Sequence, residues 1–98
     1  MLKEMRTVTS PIILQSPEYD VQNANTLERE LSALTPGRCL VDFRNVRYID
    51  STGIAQLVRV LKRLMLRDPS STIVLTNASP HVHKVFVIAN LHRLFVIE

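Results

Sequence analysis

Val46-Arg47-Tyr48-Ile49-Asp50-Ser51-Thr52-Gly53-Ile54 decides how this chain reads. A strand-like run ends in it and a strongly amphipathic helix begins. Downstream, Ile54, Leu57, Val58, Leu61, Leu64 and Met65 recur at the spacing of one helix face. Arg59, Lys62, Arg63 and Arg67 take the opposite side, and basic residues near a helix end suit its dipole. Asp50 and Ser51 fall at the helix start, where unpaired N–H groups carry a partial positive charge. Gly53 sits in the first turn, where a missing side chain lets another chain come close. An ordinary N-cap accounts for Asp50 or Ser51; a phosphate on Ser51 held by backbone donors accounts for them too.

Working outward, strands and helices alternate with short connections. Ile12-Ile13-Leu14 reads as a buried strand closed by Ser16-Pro17, and Glu18-Tyr19-Asp20 as a polar corner. From Ala24, the spacing of Leu27, Leu31 and Leu34 predicts a helix with Glu28, Arg29 and Glu30 facing away. Asn25 and Glu28 have capping-pair spacing, and Pro36-Gly37 is the expected stop. Cys39 to Phe43 is a short strand containing Asp42. Asn45 to Tyr48 is a loop, and Ile49 returns to the core. Asp68-Pro69-Ser70-Ser71 breaks the long helix, and Thr72 to Thr76 is a third strand. Ser79-Pro80 caps a last helix with inner residues Val82, Val85, Phe86 and Ala89. Leu91 and Leu94 pack beneath the following turn, before the strand Phe95-Val96-Ile97. The alternation predicts a single-domain α/β fold: a small mixed β-sheet, mainly parallel after the first helix, covered by α-helices.

Composition narrows the function. Hydrophobic residues are 46% and charged residues 21% of 98, a globular balance that excludes disorder. No run nears the length of a membrane span, and Met1 to Ser10 lacks the apolar centre of a signal peptide, so a cytoplasmic protein is expected. With only Gly37 and Gly53 there is no glycine-rich nucleotide loop, and the single Cys39 excludes a CxxC zinc site. Cys39 lies in an apolar run and is expected in the core. The net charge of +3 is modest, and no aromatics interleave with the helical arginines, so direct nucleic-acid binding is not expected. The arginines read as a solvated helix face and loop residues. No cofactor or metal is implied: His81 and His83 do not share a helix face and, with His92, are expected at the surface. Enzyme readings fail on spacing. Asp50-Ser51-Thr52-Gly53 has one residue too many for an aspartic-protease D-[ST]-G, and Ser51 lacks the G-x-S-x-G of a nucleophile elbow.

Tyr48-Ile49-Asp50-Ser51-Thr52-Gly53-Ile54 resembles the signature of STAS domains, specifically the bacterial anti-sigma factor antagonists. Val41-Asp42-Phe43 resembles the Asp-terminated strand before that corner, and Glu18-Tyr19-Asp20 the acidic motif before the first helix. Asn77-Ala78-Ser79-Pro80 with Val85, Leu91 and Leu94-Phe95 is similar to the closing strand–helix–strand. The likeness runs from about Ile12 to Glu98. It implies a non-enzymatic switch whose phosphoacceptor is Ser51, flanked by Asp20 and Asp50, with Thr52 and Gly53 completing the partner surface. The implied partners are an anti-sigma factor with serine kinase activity, which the unphosphorylated form binds so that a sigma factor is freed, and a serine phosphatase. The alternative is a STAS-like non-catalytic subunit of a membrane transport complex; such subunits tend to lack a Ser after the Asp. The chain departs from the family in three ways. Pro17 stands where Gly is usual, Asp68 to Ser71 replaces a Gly-containing turn, and the family's C-terminal helix is expected to be absent after Glu98. That absence leaves the oligomeric state open. A weak first strand is expected at Met5 to Val8.

Overall fold

In the computed structural model, residues 11–98 are described, so the strand expected at Met5 to Val8 lies outside the described residues. The centre is β3 (Arg38–Asp42) beside β5 (Thr72–Thr76), paired in parallel from Arg38↔Thr72 to Asp42↔Thr76. β1 (Ile12–Ile13) flanks β3, and β6 (Val96–Ile97) flanks β5, giving the order β1-β3-β5-β6. Every pairing among the described residues is parallel. Parallel neighbours need crossovers, and α1 (Thr26–Glu30), α2 (Ser51–Arg67) and α3 (Pro80–Ile88) supply them. The strand order advances in one direction only, so right-handed crossovers put all three helices on one face. Period-2 alternation turns Cys39, Val41, Ile73 and Leu75 to that face, where they share a core with Leu57, Leu61, Leu64, Val82 and Phe86. Phe43 and Phe86 meet edge to face at 5.1 Å.

Several expectations need correction. Glu18-Tyr19-Asp20 is not simply a polar corner: Glu18–Tyr19 is a strand, β2, with Tyr19 fully buried. It pairs with β4 (Tyr48–Ile49), so Tyr48 belongs to a strand rather than a loop. α1 stops at Glu30 instead of running through Leu34. Its Asn25 sits at φ 78° without a side-chain cap bond, and Glu28 turns to Arg59 instead of capping. Beyond Glu30 the chain tightens, Leu34 N–H bonding the Leu31 carbonyl at 3.1 Å, and the Arg63 guanidinium donates to the Leu31 and Leu34 carbonyls at 3.2 and 3.5 Å. Glu30 also turns inward, accepting from the Tyr19 hydroxyl at 2.7 Å. Gly37, at φ 122°, leads into β3; its carbonyl accepts from Thr72 N–H at 2.9 Å.

The buried face of α2 is rotated from the expected one. Leu57, Leu61 and Leu64 are inside, but Gly53, Gln56 and Val60 join them, while Ile54 and Val58 lie at the margin and Met65 is exposed. The reason is that α2 packs against α1 as well as the sheet. Ser79 caps α3 by accepting from Val82 N–H, with Pro80 in first position as expected. Ala89 and Leu94 are exposed, not inner. Cys39 is buried as expected, and burial pushes its thiol pKa up. The three histidines are exposed.

Candidate functional site

β2 and β4 are short, but they end side by side. In parallel register the residues after Tyr19↔Ile49 are Asp20 and Asp50, which leave neighbouring strand ends about 4.8 Å apart, the usual strand spacing. Each carboxylate then caps the turn or helix that begins beyond it. Asp20 accepts from Gln22 N–H at 3.0 Å and Asn23 N–H at 3.4 Å, starting the 3-10 turn Val21–Asn23. The Asn23 side chain returns the bond, accepting from Asp20 N–H at 2.8 Å. Asp50 accepts from Thr52 N–H at 2.8 Å and Gly53 N–H at 3.3 Å, starting α2. The register thus sets Asp20 and Asp50, the two acidic positions the resemblance named, at neighbouring strand ends.

The start of α2 is clamped by backbone. Asp50 N–H donates to the Tyr19 carbonyl at 3.1 Å. That same oxygen would stand 2.8 Å from a Cβ on Gly53, and Ile49 Cγ1 would stand 2.7 Å away. Gly53 therefore serves the domain's own packing, letting the first turn slide under β2; it is buried, not part of an exposed partner surface. Ser51 is exposed at the first helical position, and Thr52 is half-buried beside it. Because the Asp50 carboxylate occupies two N–H groups of the first turn, fewer donors face Ser51 than a bare helix start would offer.

Three residues that sequence reasoning undervalued hold this corner. The Tyr19 hydroxyl joins Ser16 N–H, at 3.0 Å, to Glu30, and burial together with that carboxylate drives its pKa far above the ordinary phenol value. Gln56 is buried on α2; its amide accepts from Glu28 N–H at 3.1 Å and donates to the Thr52 carbonyl at 3.4 Å, tying the first turn of α2 to α1. Asp42, at the end of β3, accepts from the Arg44 guanidinium, from Arg44 N–H and from Asn77 Nδ2, fixing the loop that returns the chain to β4. The Arg44 hydrogen bonds hold its carboxyl below the usual range. For Tyr19 the legible signal was its alternation with polar neighbours; Gln56 and Arg44 gave none. Arg44, Arg59 and Arg63, read as solvated, each hold a specific partner. Among the described residues no three metal-ligating side chains converge, and no helix is long and apolar enough to cross a membrane.

A parallel sheet with its helices on one face, and a capped serine corner beside a second acidic strand end, define a STAS-type domain. The chain belongs to that family: residues 10–98 match the family described as "Mlab, STAS domain". It is 40% identical over 73 residues to a STAS-domain containing protein of Pseudomonas aeruginosa, covering 70% of this chain and 66% of the relative. It is 33% identical over 78 residues to BtrV of Bordetella bronchiseptica, provisionally named an anti-sigma factor antagonist, covering 76% and 66%. The chain thus spans about two thirds of the length of both relatives. The fold is also that of two solved structures. One, a provisionally named anti-sigma factor antagonist from Thermotoga maritima, gives TM-score 0.71 at 20% identity over 92% of this chain and 80% of that one. The other, an anti-sigma-factor antagonist (STAS) domain protein from Planctomyces limnophilus, gives 0.66 at 22% identity over 84% and 72%.

Proposed function

We propose that this STAS domain is an anti-sigma factor antagonist controlled by phosphorylation of Ser51. The unphosphorylated form binds an anti-sigma factor that is also a serine kinase, and so frees a sigma factor; a serine phosphatase resets it. This reading implies a non-enzymatic, cytoplasmic protein. The observation that carries it is the exposed Ser51 hydroxyl on the first residue of α2, next to a carboxylate already spent on capping. A kinase has access to that hydroxyl, and the backbone beneath is held by Gly53 and Tyr19, so the charge changes without any need to refold. Asp20 at the neighbouring strand end adds negative charge, which makes the added phosphate costly for a partner to bury. The accessible serine favours this reading over a non-catalytic subunit of a membrane transport complex, which needs no phosphoacceptor. The test is incubation with the cognate anti-sigma factor kinase and ATP, read by intact mass. One added phosphate that disappears in Ser51→Ala and persists in Thr52→Ala supports the proposal. Phosphate on Thr52, or none at all, refutes it.

A further inference from the structure

The far half of α2 extends an apolar stripe beyond the core, from Leu61 and Val58 out to the exposed Met65 and Leu66. Val58, Leu61, Lys62, Met65 and Leu66 recur at i, i+3, i+4, i+7 and i+8, and with Leu94 they line a groove of about 480 Å³. Leu66 is 87% exposed, Leu94 53% and Met65 40%. A stripe at that spacing is what one helix presents to another. Behind Lys62 and Leu66 lies a second groove of about 330 Å³ with Arg59 and Arg63 in its wall, so Leu66 forms a ridge between two clefts. The charge here is mostly positive. Glu28, the one acidic residue in the walls, and Arg59 pair with each other at 2.9 Å, which leaves Lys62 and Arg63 as the net positive charge.

We propose that this face docks an amphipathic helix of a partner protein, one with acidic residues beside an apolar stripe. The seam spacing selects a helix, and the basic rim selects acidic flanks. A second copy of this chain fits poorly: a two-fold contact would set this basic patch against the same patch of its partner. The proposal is separate from the Ser51 reading, because Ser51 and Leu66 lie about 22 Å apart along α2 at 1.5 Å per residue.

The test titrates isotope-labelled full chain with a synthetic amphipathic peptide of about 18 residues, long enough to hold a helix. One version carries Glu beside a Leu stripe and the other carries Lys. The expected result is amide shifts confined to the Val58–Leu66 stretch and Leu94, with the Lys version binding at least about tenfold more weakly. Leu66→Ser should weaken the Glu peptide by about tenfold, through lost apolar contact at an exposed residue that the fold does not need. Lys62→Glu should reverse the order of the two peptides, while Ser51→Asp should leave both unchanged. Scattered shifts, or equal binding of the two peptides, overturn the proposal. Self-association abolished by Leu66→Ser would assign the groove to a second copy. Cross-peaks from residues 1–10 to Leu66 in the free chain would assign it to the chain's own first residues. Either result overturns the proposal as well.

Discussion

Gly53→Ala tests the corner at its tightest point. Alanine is ordinarily the better helix former by about 1 kcal/mol, so at an open helical site the change would stabilise. Here the added methyl carbon would sit 2.8 Å from the Tyr19 carbonyl oxygen and 2.7 Å from Ile49 Cγ1. The Ile49 side chain is buried and has little room to turn away, and the carbonyl is backbone already accepting from Asp50 N–H. Relief requires α2 to back away from β2, which stretches that hydrogen bond and opens the packing. Overpacking of this kind costs about 1–3 kcal/mol, and a weakened hydrogen bond adds about 1. Set against the propensity gain, the net loss is about 1–3 kcal/mol. For a domain of this size that lowers Tm by roughly 5–15 °C. Urea midpoints with circular dichroism give the direct measure, with the slope checked for two-state behaviour. A Gly53→Ala protein as stable as wild type, or more so, would refute the claim that backbone contact, rather than chance, keeps glycine here.

The same packing sets other expectations. Leu61→Ala should cost about 2–5 kcal/mol by leaving a cavity between α2 and the sheet, whereas Arg63→Ala should cost about 1 kcal/mol or less, since the Leu31 carbonyl keeps its bond from Leu34 N–H and the Leu34 carbonyl bond is exposed to water; equal urea midpoints would contradict the helix orientation. Asp42 has a lowered folded-state pKa, so its contribution is present above the unfolded carboxylate value and is lost as pH falls through the lower, folded value. Asp42→Asn should therefore be less stable at neutral pH and lose less stability on acidification, as seen in urea midpoints across pH 2–7; parallel curves for the two proteins would show that the Arg44 pairing contributes nothing. The buried Cys39 thiol, its pKa raised by desolvation, should react with a thiol reagent far more slowly in native than in urea-unfolded protein, and equal rates would displace it from the core.

The sequence was most legible where a period was long and one-sided. The 17 residues of α2, the Ser79-Pro80 cap and the five-residue strand at Thr72 could be read because local preference and burial agree there. The Asp50–Gly53 corner was legible as a helix start from its residue types, and as a functional site through its resemblance to the STAS signature. What failed was short or shared. β2 and β4 have two residues each, too few to show alternation, and they exist because they pair with one another. α1 stops at Glu30 because the chain beyond it tightens into turns, Ser32 N–H bonding the Arg29 carbonyl and Leu34 N–H the Leu31 carbonyl. A distant arginine also bonds the Leu31 and Leu34 carbonyls, which no local pattern encodes. Gln56 is buried on a face that reads as polar because both ends of its amide find backbone partners on two helices. At the site, the positions of Asp20, Asp50 and Ser51 were foreseen. The closing of the helix start by an N-cap was among the readings, with Asp50 or Ser51 as the capping residue; that Asp50 is the one depends on its extended backbone beside the strand pair.

That closure sharpens the expected effect of phosphate on Ser51. A dianion there meets Asp50 and the Asp20 strand end with few donors to offset it, and a partner must take up the remainder. Like charges about 4 Å apart repel by roughly 4 kcal/mol at an effective dielectric near 20, and a hundredfold loss of affinity needs only about 2.8 kcal/mol. The decisive measurement is titration calorimetry of the cognate anti-sigma factor with unphosphorylated and stoichiometrically Ser51-phosphorylated chain, with circular dichroism confirming that both are folded. The phosphorylated form should bind at least about a hundredfold more weakly, with Ser51→Ala binding like the unphosphorylated one. Equal affinity for the two forms would contradict the switch.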